Sequence, residues 1–155
     1  MRLYLEKFKI GFSIFGLLAF ALQELPYIPW LLWPPLDNPL QNNNPANIFV
    51  GLLEQAGGIF TVALLILIVR KTKEKANFKN IFIRLAILCL VLYYTSWVLY
   101  FLGITNVWLI VIGLSAVVPL YYLFISLWLK NDFAIITSIL FFIGHTGSNI
   151  LNYMR

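Results

Sequence analysis

Charge is what this sequence has least of. Only 11% of its 155 residues are Asp, Glu, Lys or Arg, against roughly 25% in soluble domains, which excludes water as the solvent for most of the surface. Cysteine is nearly absent as well. Cys89 stands alone inside an apolar run, so no intramolecular disulfide can form and the redox compartment is not legible. The chain has no Asn-x-Ser/Thr acceptor and no Cys/His pair at metal-ligand spacing, so neither a metal nor a cofactor is indicated. Gly-x-Ser-x-Gly, His-Glu-x-x-His and Asp-rich magnesium motifs are missing too, which leaves any reaction type open.

What fills the space is hydrocarbon. Hydrophobic residues make up 61% of the chain and aromatic residues 17%, with a mean hydropathy of +0.87. A bilayer crossing takes about 20 mainly apolar residues, so five crossings would use nearly the whole chain. The expected fold is an all-α integral membrane protein, a single transmembrane domain over 1–155 with spans at 8–26, 47–70, 80–102, 106–129 and 133–152. The third and fourth are joined by Gly103-Ile104-Thr105-Asn106, a length that suits a tight antiparallel helical hairpin.

Orientation follows from the cations, because cytoplasmic loops hold an excess of Lys and Arg near span ends. With the N-terminus inside, Arg2, Lys7, Lys9, Arg70, Lys71, Lys73, Lys75, Lys79, Arg84 and Lys130 all fall on the cytoplasmic side, and of the 11 basic residues only Arg155 falls outside. Losing or gaining one span breaks that alternation. Aromatic residues agree, with Trp30, Trp33, Trp108 and Tyr153 at the outer interface and Tyr4 and Trp128 at the inner one. The expected location is therefore a multi-pass position in a bacterial inner or plasma membrane. The net charge of +5 reports this topology and not nucleic-acid binding, since the basic residues sit at helix ends instead of forming a patch on a soluble unit. One alternative concerns the start. MRLYLEKFK, an apolar run and Ala19-Phe20-Ala21 together read as a secretory signal peptide with a cleavage site, which would leave four spans.

The connection 27–46, YIPWLLWPPLDNPLQNNNPA, holds Pro29, Pro34, Pro35, Pro39 and Pro45. Prolines fix φ and remove donors, so no regular helix is expected there, yet Trp30, Leu31, Leu32 and Trp33 are too apolar for a solvated linker. The segment should lie along the outer interface, either as a simple connection or as a lid over a site.

Polar groups in hydrocarbon cost a few kcal/mol each and need company. Glu54 and His145 each lie about seven residues inside the outer end of their spans, or about 10 Å at 1.5 Å per residue. Thr95 and Ser96 lie at similar depth, and Gln23 and Glu24 slightly higher. Helical spacing gathers one polar or small-residue stripe per helix: Ser13, Gly16 and Glu24; Gly51, Glu54, Gln55 and Gly58; Cys89, Tyr93, Ser96 and Tyr100; Ser115, Pro119, Tyr122 and Ser126; Ser138, His145, Asn149 and Asn152. Small residues such as Gly57 and Gly144 read as helix-packing surfaces, and Pro119 as a kink. Arg84 would snorkel to phosphate. His145 and Glu54 are the candidates for catalysis. Glu24, Gln23, Gln55, Ser96, Trp97, Asn149 and Tyr122 are the candidates for ligand binding.

Three functions fit these residues. The first is a binding or transport protein with a pocket for a small molecule or lipid in the outer half of the bundle. The second is a membrane-embedded enzyme acting on a lipid or isoprenoid by His145/Glu54 acid–base chemistry. The third is an accessory subunit docked through the basic loop 70–84. Membrane lipids are expected neighbours, and a homo-oligomer or a membrane-complex partner remains open. Size and span count are similar to those of small five-span families such as the tryptophan-rich sensory proteins and the sterol-isomerase-like membrane proteins. The motifs of those families do not align with this chain.

Overall fold

The computed structural model describes residues 6–72 and 77–154. Arg2, Tyr4, Lys73, Lys75 and Arg155 lie outside the described residues, as does the middle of the basic loop. The chain is mostly helical, and four helices are long and apolar enough to cross a membrane: α3 (Ile48–Leu67), α4 (Ile81–Phe101), α5 (Leu109–Trp128) and α6 (Asp132–Tyr153). At 20 to 22 residues each they measure about 30 Å, the thickness of a bilayer's hydrocarbon. This is a multi-pass membrane protein.

Local sequence sets the helix starts. Asn47, Asn80 and Asn131 stand immediately before α3, α4 and α6, and each side-chain oxygen accepts a backbone N–H of the first turn, satisfying a donor the helix cannot. Asn131 also works at the other end of a neighbour. Its Nδ2 donates to the carbonyls of Leu64 (2.8 Å) and Ile68 (2.9 Å), where α3 runs out of internal partners.

The N-terminal segment departs from the expected helix over 8–26. Phe8–Ile10 is a short strand, β1, paired antiparallel with Ile68–Arg70, β2, in the register Phe8–Arg70, Lys9–Val69, Ile10–Ile68. The pairing continues through Gly11 N–H to Leu67 O and Ser13 N–H to Ile66 O. Only then does helix α1 begin, Ile14–Glu24, capped by Ser13. The cause lies in α3, whose C-terminal Ile68-Val69 is β-branched and turns extended, offering an edge that the incoming chain takes. A Cβ on Gly11 would lie 2.6 Å from the Val69 side chain, so glycine permits the close approach.

The connection 27–46 also differs from expectation. Tyr27–Leu32 forms a six-residue helix, α2, because Pro26 and Pro29 occupy its cap and first turn, where no N–H is needed. Pro39–Asn42 makes a single 3₁₀ turn.

α5 is the central helix. It packs against α1, α3, α4 and α6, and 67% of its apolar window is buried, against 22–33% for the other three long helices. Its first eight residues, Leu109–Ala116, are wound as a π-helix before α-geometry resumes at Val117. Pro119 explains the change, since its ring crowds the carbonyl four residues back and a wider turn relieves that clash. α3 and α6 form the most extensive pair, brought close by two glycines. A Cβ on Gly57 would lie 2.7 Å from the Phe141 backbone, and one on Gly144 2.6 Å from the Leu53 carbonyl carbon. Large apolar side chains such as Ile59, Phe60, Ile87, Val91, Ile136 and Ile143 stay exposed and face lipid.

Candidate functional site

A cavity of about 170 Å³ lies where the end of α1, the middle of α4, the π-wound start of α5 and the C-terminal half of α6 converge. α1 contributes Gln23 and Glu24. Tyr27 follows from α2, Leu40 and Asn43 from the proline-rich connection, Tyr93 and Trp97 from α4, and Ile110, Leu114, Ser115 and Val118 from α5. Phe141, His145 and Asn149 on α6 complete the lining. The polar stripes of four helices therefore meet.

The connection roofs this cavity, and hydrogen bonds hold it down. Asn38 Oδ1 accepts from the Tyr100 hydroxyl (2.7 Å) and from Trp30 Nε1 (3.1 Å). Asn43 Nδ2 donates to Asn149 Oδ1 (3.0 Å). Asn152 Nδ2 donates to Asn43 Oδ1 and to the Asn44 carbonyl, while its own oxygen accepts the Ala46 N–H. The Tyr153 hydroxyl donates to the Pro39 carbonyl (3.0 Å). The side chains of Asn38 and Asn43 thus carry the burden that proline-blocked backbone cannot, since Pro39 and Pro45 have no N–H to give. Tyr27, Trp30 and Trp97 pack edge-on or tilted with ring centroids 5.5–6.5 Å apart, tying α2 to α4. Desolvation, and after it the carboxylates of Glu24 and Glu54, push the Tyr27 phenol above its ordinary range, so it faces the cavity as a neutral hydrogen-bonding group.

His145 and Glu54 come together: His145 Nδ1 lies 2.8 Å from Glu54 Oε1. The pair exists because Gly144, the preceding residue, lets α6 touch the α3 backbone at Leu53 and Glu54. The ring lies 5.1 Å from the Phe141 ring, and its carbonyl accepts from Asn149 Nδ2 (2.8 Å) and Ser115 Oγ (3.2 Å). Glu54 itself does not line the cavity. It engages one imidazole nitrogen from behind and leaves Nε2 as the remaining nitrogen on a ring that does.

The other candidates separate into three groups. Gln23, Glu24, Trp97 and Asn149 line the cavity. Gln23 is 5% exposed and clamped, its Nε2 donating to the Tyr93 hydroxyl (3.1 Å) and its Oε1 accepting from the Tyr122 hydroxyl (2.7 Å). Tyr122 therefore acts through Gln23 and is not itself in the lining. Ser96 bonds back to the Leu92 carbonyl (2.8 Å) and packs on Gly113, a helix-contact role. Gln55 is exposed and lies outside the cavity lining, whereas Glu54 before it is half-buried against His145. The residues that sequence reasoning missed are Leu40 and Asn43 of the roof, Tyr27, and the apolar wall of Ile110, Leu114, Val118 and Phe141. The helical stripe carrying Tyr93 was a usable signal. Nothing in the sequence announces the roof residues, which reach the cavity through tertiary hydrogen bonds.

The Trp97 indole stands out. The residue is 3% exposed, its Nε1 is buried near the Tyr93 hydroxyl without making a well-formed hydrogen bond among the described residues, and it lines the cavity. A buried donor left without an acceptor costs about 1–3 kcal/mol. No group of three or more His, Cys, Asp or Glu that could hold a metal ion occurs among the described residues. No protein-family model, curated protein or solved structure matches the chain.

Proposed function

We propose that this protein binds a small amphiphilic or aromatic molecule in the roofed cavity at the outer end of a five-span bundle whose N-terminus is cytoplasmic. The observation that carries the reading is the unpartnered Trp97 N–H in a cavity walled by Tyr27, Tyr93, Trp97 and Phe141. A ligand with one acceptor set in a flat apolar frame satisfies both features. A dry cavity of about 150 Å³ is known to hold a benzene-sized molecule, so the volume seen here suits a single ring. Anything larger, a lipid tail included, requires the 33–46 roof to lift, and that movement would serve uptake or transport.

The topology rests on charge and on packing. Lys9, Arg70 and Lys130 share one end of the bundle, and the cation-rich end belongs inside. α1 has only 11 residues, about 16 Å of helix, but residues 8–13 run extended before it and add about 20 Å, enough for a composite crossing. Retention of this segment is supported by Ala19, 3% exposed, whose carbonyl accepts from the Tyr121 hydroxyl (3.0 Å). The strand pair would sit at the inner interface, where unpaired edges can meet water.

A panel of ring-sized heterocycles screened by thermal shift on the purified protein tests the reading, with Trp97→Phe as the deciding variant. Phe keeps the wall and removes the N–H. The expected result is unchanged or raised ligand-free stability with about tenfold weaker binding, the size of one buried hydrogen bond. Equal affinity for wild type and variant, or a Leu114→Phe cavity filler that leaves all binding intact, refutes it.

A second reading is favoured by the Glu54–His145 contact, which is the arrangement of a carboxylate orienting a general base. Turnover of a cavity ligand that is lost in both His145→Ala and Glu54→Gln, with binding retained, would make the protein an enzyme.

A further inference from the structure

The roofed cavity carries one charge that the protein does not balance. Its described lining includes no Lys or Arg, and the only acid in it is Glu24. His145 brings no net positive charge, because the Glu54 carboxylate 2.8 Å from its Nδ1 offsets the imidazolium whenever it forms. Glu24 itself is half-buried, and among the described residues its carboxylate has neither an ion pair nor a hydrogen bond. A carboxylate half withdrawn from water and without a counter-ion is costly beside hydrocarbon, and a cation supplied from outside removes that cost.

The walls next to Glu24 narrow the kind of cation. Leu25 and Pro26 both keep right-handed helical dihedrals across the junction of α1 and α2, so Glu24 and Tyr27, three residues apart, emerge on one face. Tyr27 and Tyr93 each stand steeply to the Trp97 ring, at 69° with centroids 5.5 Å apart and at 85° with centroids 6.2 Å apart. Three rings set in this way form a corner, and Phe141 adds a fourth ring to the lining from α6. A metal ion or a small hydrated cation needs several oxygens at short range, and rings do not provide them. An alkylated ammonium needs none, since its charge is spread over methyl groups that lie against ring faces. A trimethylammonium head has about the bulk of one aromatic ring, which a cavity of this size accepts.

We infer that the ligand of this cavity is a small organic ammonium ion carrying one hydrogen-bond acceptor, its charge beside Glu24, its alkyl groups in the corner of Tyr27, Trp97 and Tyr93, and its acceptor at the Trp97 N–H. The inference rests on the binding reading above and adds the sign of the ligand's charge.

Calorimetry on the purified full chain in neutral detergent tests it with a matched pair, choline and 3,3-dimethylbutan-1-ol. The two share shape and hydroxyl and differ in charge, and sodium chloride holds the ionic strength equal. Choline should bind about 30-fold more tightly, the size of one desolvated cation–π contact. Glu24→Gln should weaken choline about tenfold, the size of one half-screened charge contact, and leave the alcohol unchanged. Because the carboxylate holds no internal partner, this variant should be at least as stable as wild type, so lost binding cannot be laid to misfolding. Tyr27→Leu should weaken choline about fivefold, and Tyr27→Phe should retain it. Equal affinity for choline and the alcohol, or undiminished choline binding by Glu24→Gln, overturns the inference. If choline does not bind while neutral ring-sized heterocycles still do so in a Trp97-dependent way, the charge assignment falls and the pocket stands. If neither class binds, both fall.

Discussion

The two ends of this bundle solve the same problem, polar groups next to hydrocarbon, in opposite ways. At the roofed end, donors and acceptors are matched to each other: Gln23 is clamped from both sides by Tyr93 and Tyr122, Asn43, Asn149 and Asn152 interlock, and Asn38 accepts from Tyr100 and Trp30. Trp97 Nε1 and Thr146 Oγ1 are buried there without a partner, and of the two residues only Trp97 lines the cavity. At the strand end Lys9, Arg70 and Lys130 line one cavity together with Ser13, Asn77 and Asn80, whose side-chain oxygens each accept a nearby backbone N–H. The first arrangement is nearly self-satisfied, so it suits a small ligand with a single acceptor. The second gathers basic side chains and helix caps around a wider opening. Buried polar networks are stable only when nearly every member is paired, and the roofed end departs from that condition at Trp97.

The largest effect that would break this comparison comes from the contact that builds the roofed end. Gly144→Leu places a branched chain where even a Cβ would lie 2.8 Å from the Glu54 Cα. It should cost about 3 kcal/mol or more and separate His145 from Glu54, read as a collapse of the thermal midpoint in detergent. Gly147→Leu is the control one turn away. Its Cβ would meet Val50 at an ordinary 3.6 Å, and the midpoint should hardly move. Comparable losses in both variants would mean that the α3–α6 approach is not set by Gly144.

Next in size is Asn131→Ala at the strand end. Asn131 is 3% exposed, and its side chain closes α3 through Leu64 and Ile68 and starts α6 through the Ala134 N–H. Its loss should cost about 2–3 kcal/mol, with hydrogen exchange rising first at 64–70. Asn38→Ala at the roofed end removes a single acceptor shared by Trp30 and Tyr100 and should cost about 1–2 kcal/mol. The informative difference is where protection is lost. Exchange or proteolysis should increase at 33–46 while the long helices stay protected, as expected of a roof that opens without unfolding the bundle. Loosening spread equally over the whole chain would remove the case for a lid.

Much of this was legible beforehand, for identifiable reasons. Hydropathy runs found α3 to α6 because a helix that crosses hydrocarbon must be apolar over its full length. Depth counting found Glu54 and His145 because a helix rises uniformly with residue number. Neither rule sees tertiary pairing. The strands Phe8–Ile10 and Ile68–Arg70 are three residues each, too short for an alternating pattern, so the extended entry to α1 was hidden inside an apolar run. The π-wound start of α5 follows from Pro119 only once its neighbours are in place. Gln55, which shares a stripe with Glu54 in the sequence, is exposed and outside the cavity lining, because successive helical positions are turned by about 100° and need not share a neighbour. The basic residues were read for sidedness alone, which accounts for their location but not for the convergence of Lys9, Arg70 and Lys130 on one cavity.

The smallest expected effect is also the sharpest on the strand end. In Lys130→Gly two terms oppose each other. Glycine removes the left-handed strain at Lys130 (φ 53°), worth about 1 kcal/mol for a residue with a Cβ, while losing a cation at the C-terminus of α5, worth about 0.3–1 kcal/mol. The ligand-free protein should therefore gain a few tenths of a kcal/mol at most, seen as an equal or slightly higher midpoint after delipidation. In anionic lipid the order should reverse, because a lysine at the cation-rich end is attracted to an anionic membrane surface by about 1 kcal/mol, which the variant forgoes. A crossing of the two midpoints between neutral and anionic lipid marks Lys130 as a residue kept for its charge at the expense of its backbone. Parallel midpoints in both lipids mark it as a helix cap and nothing more.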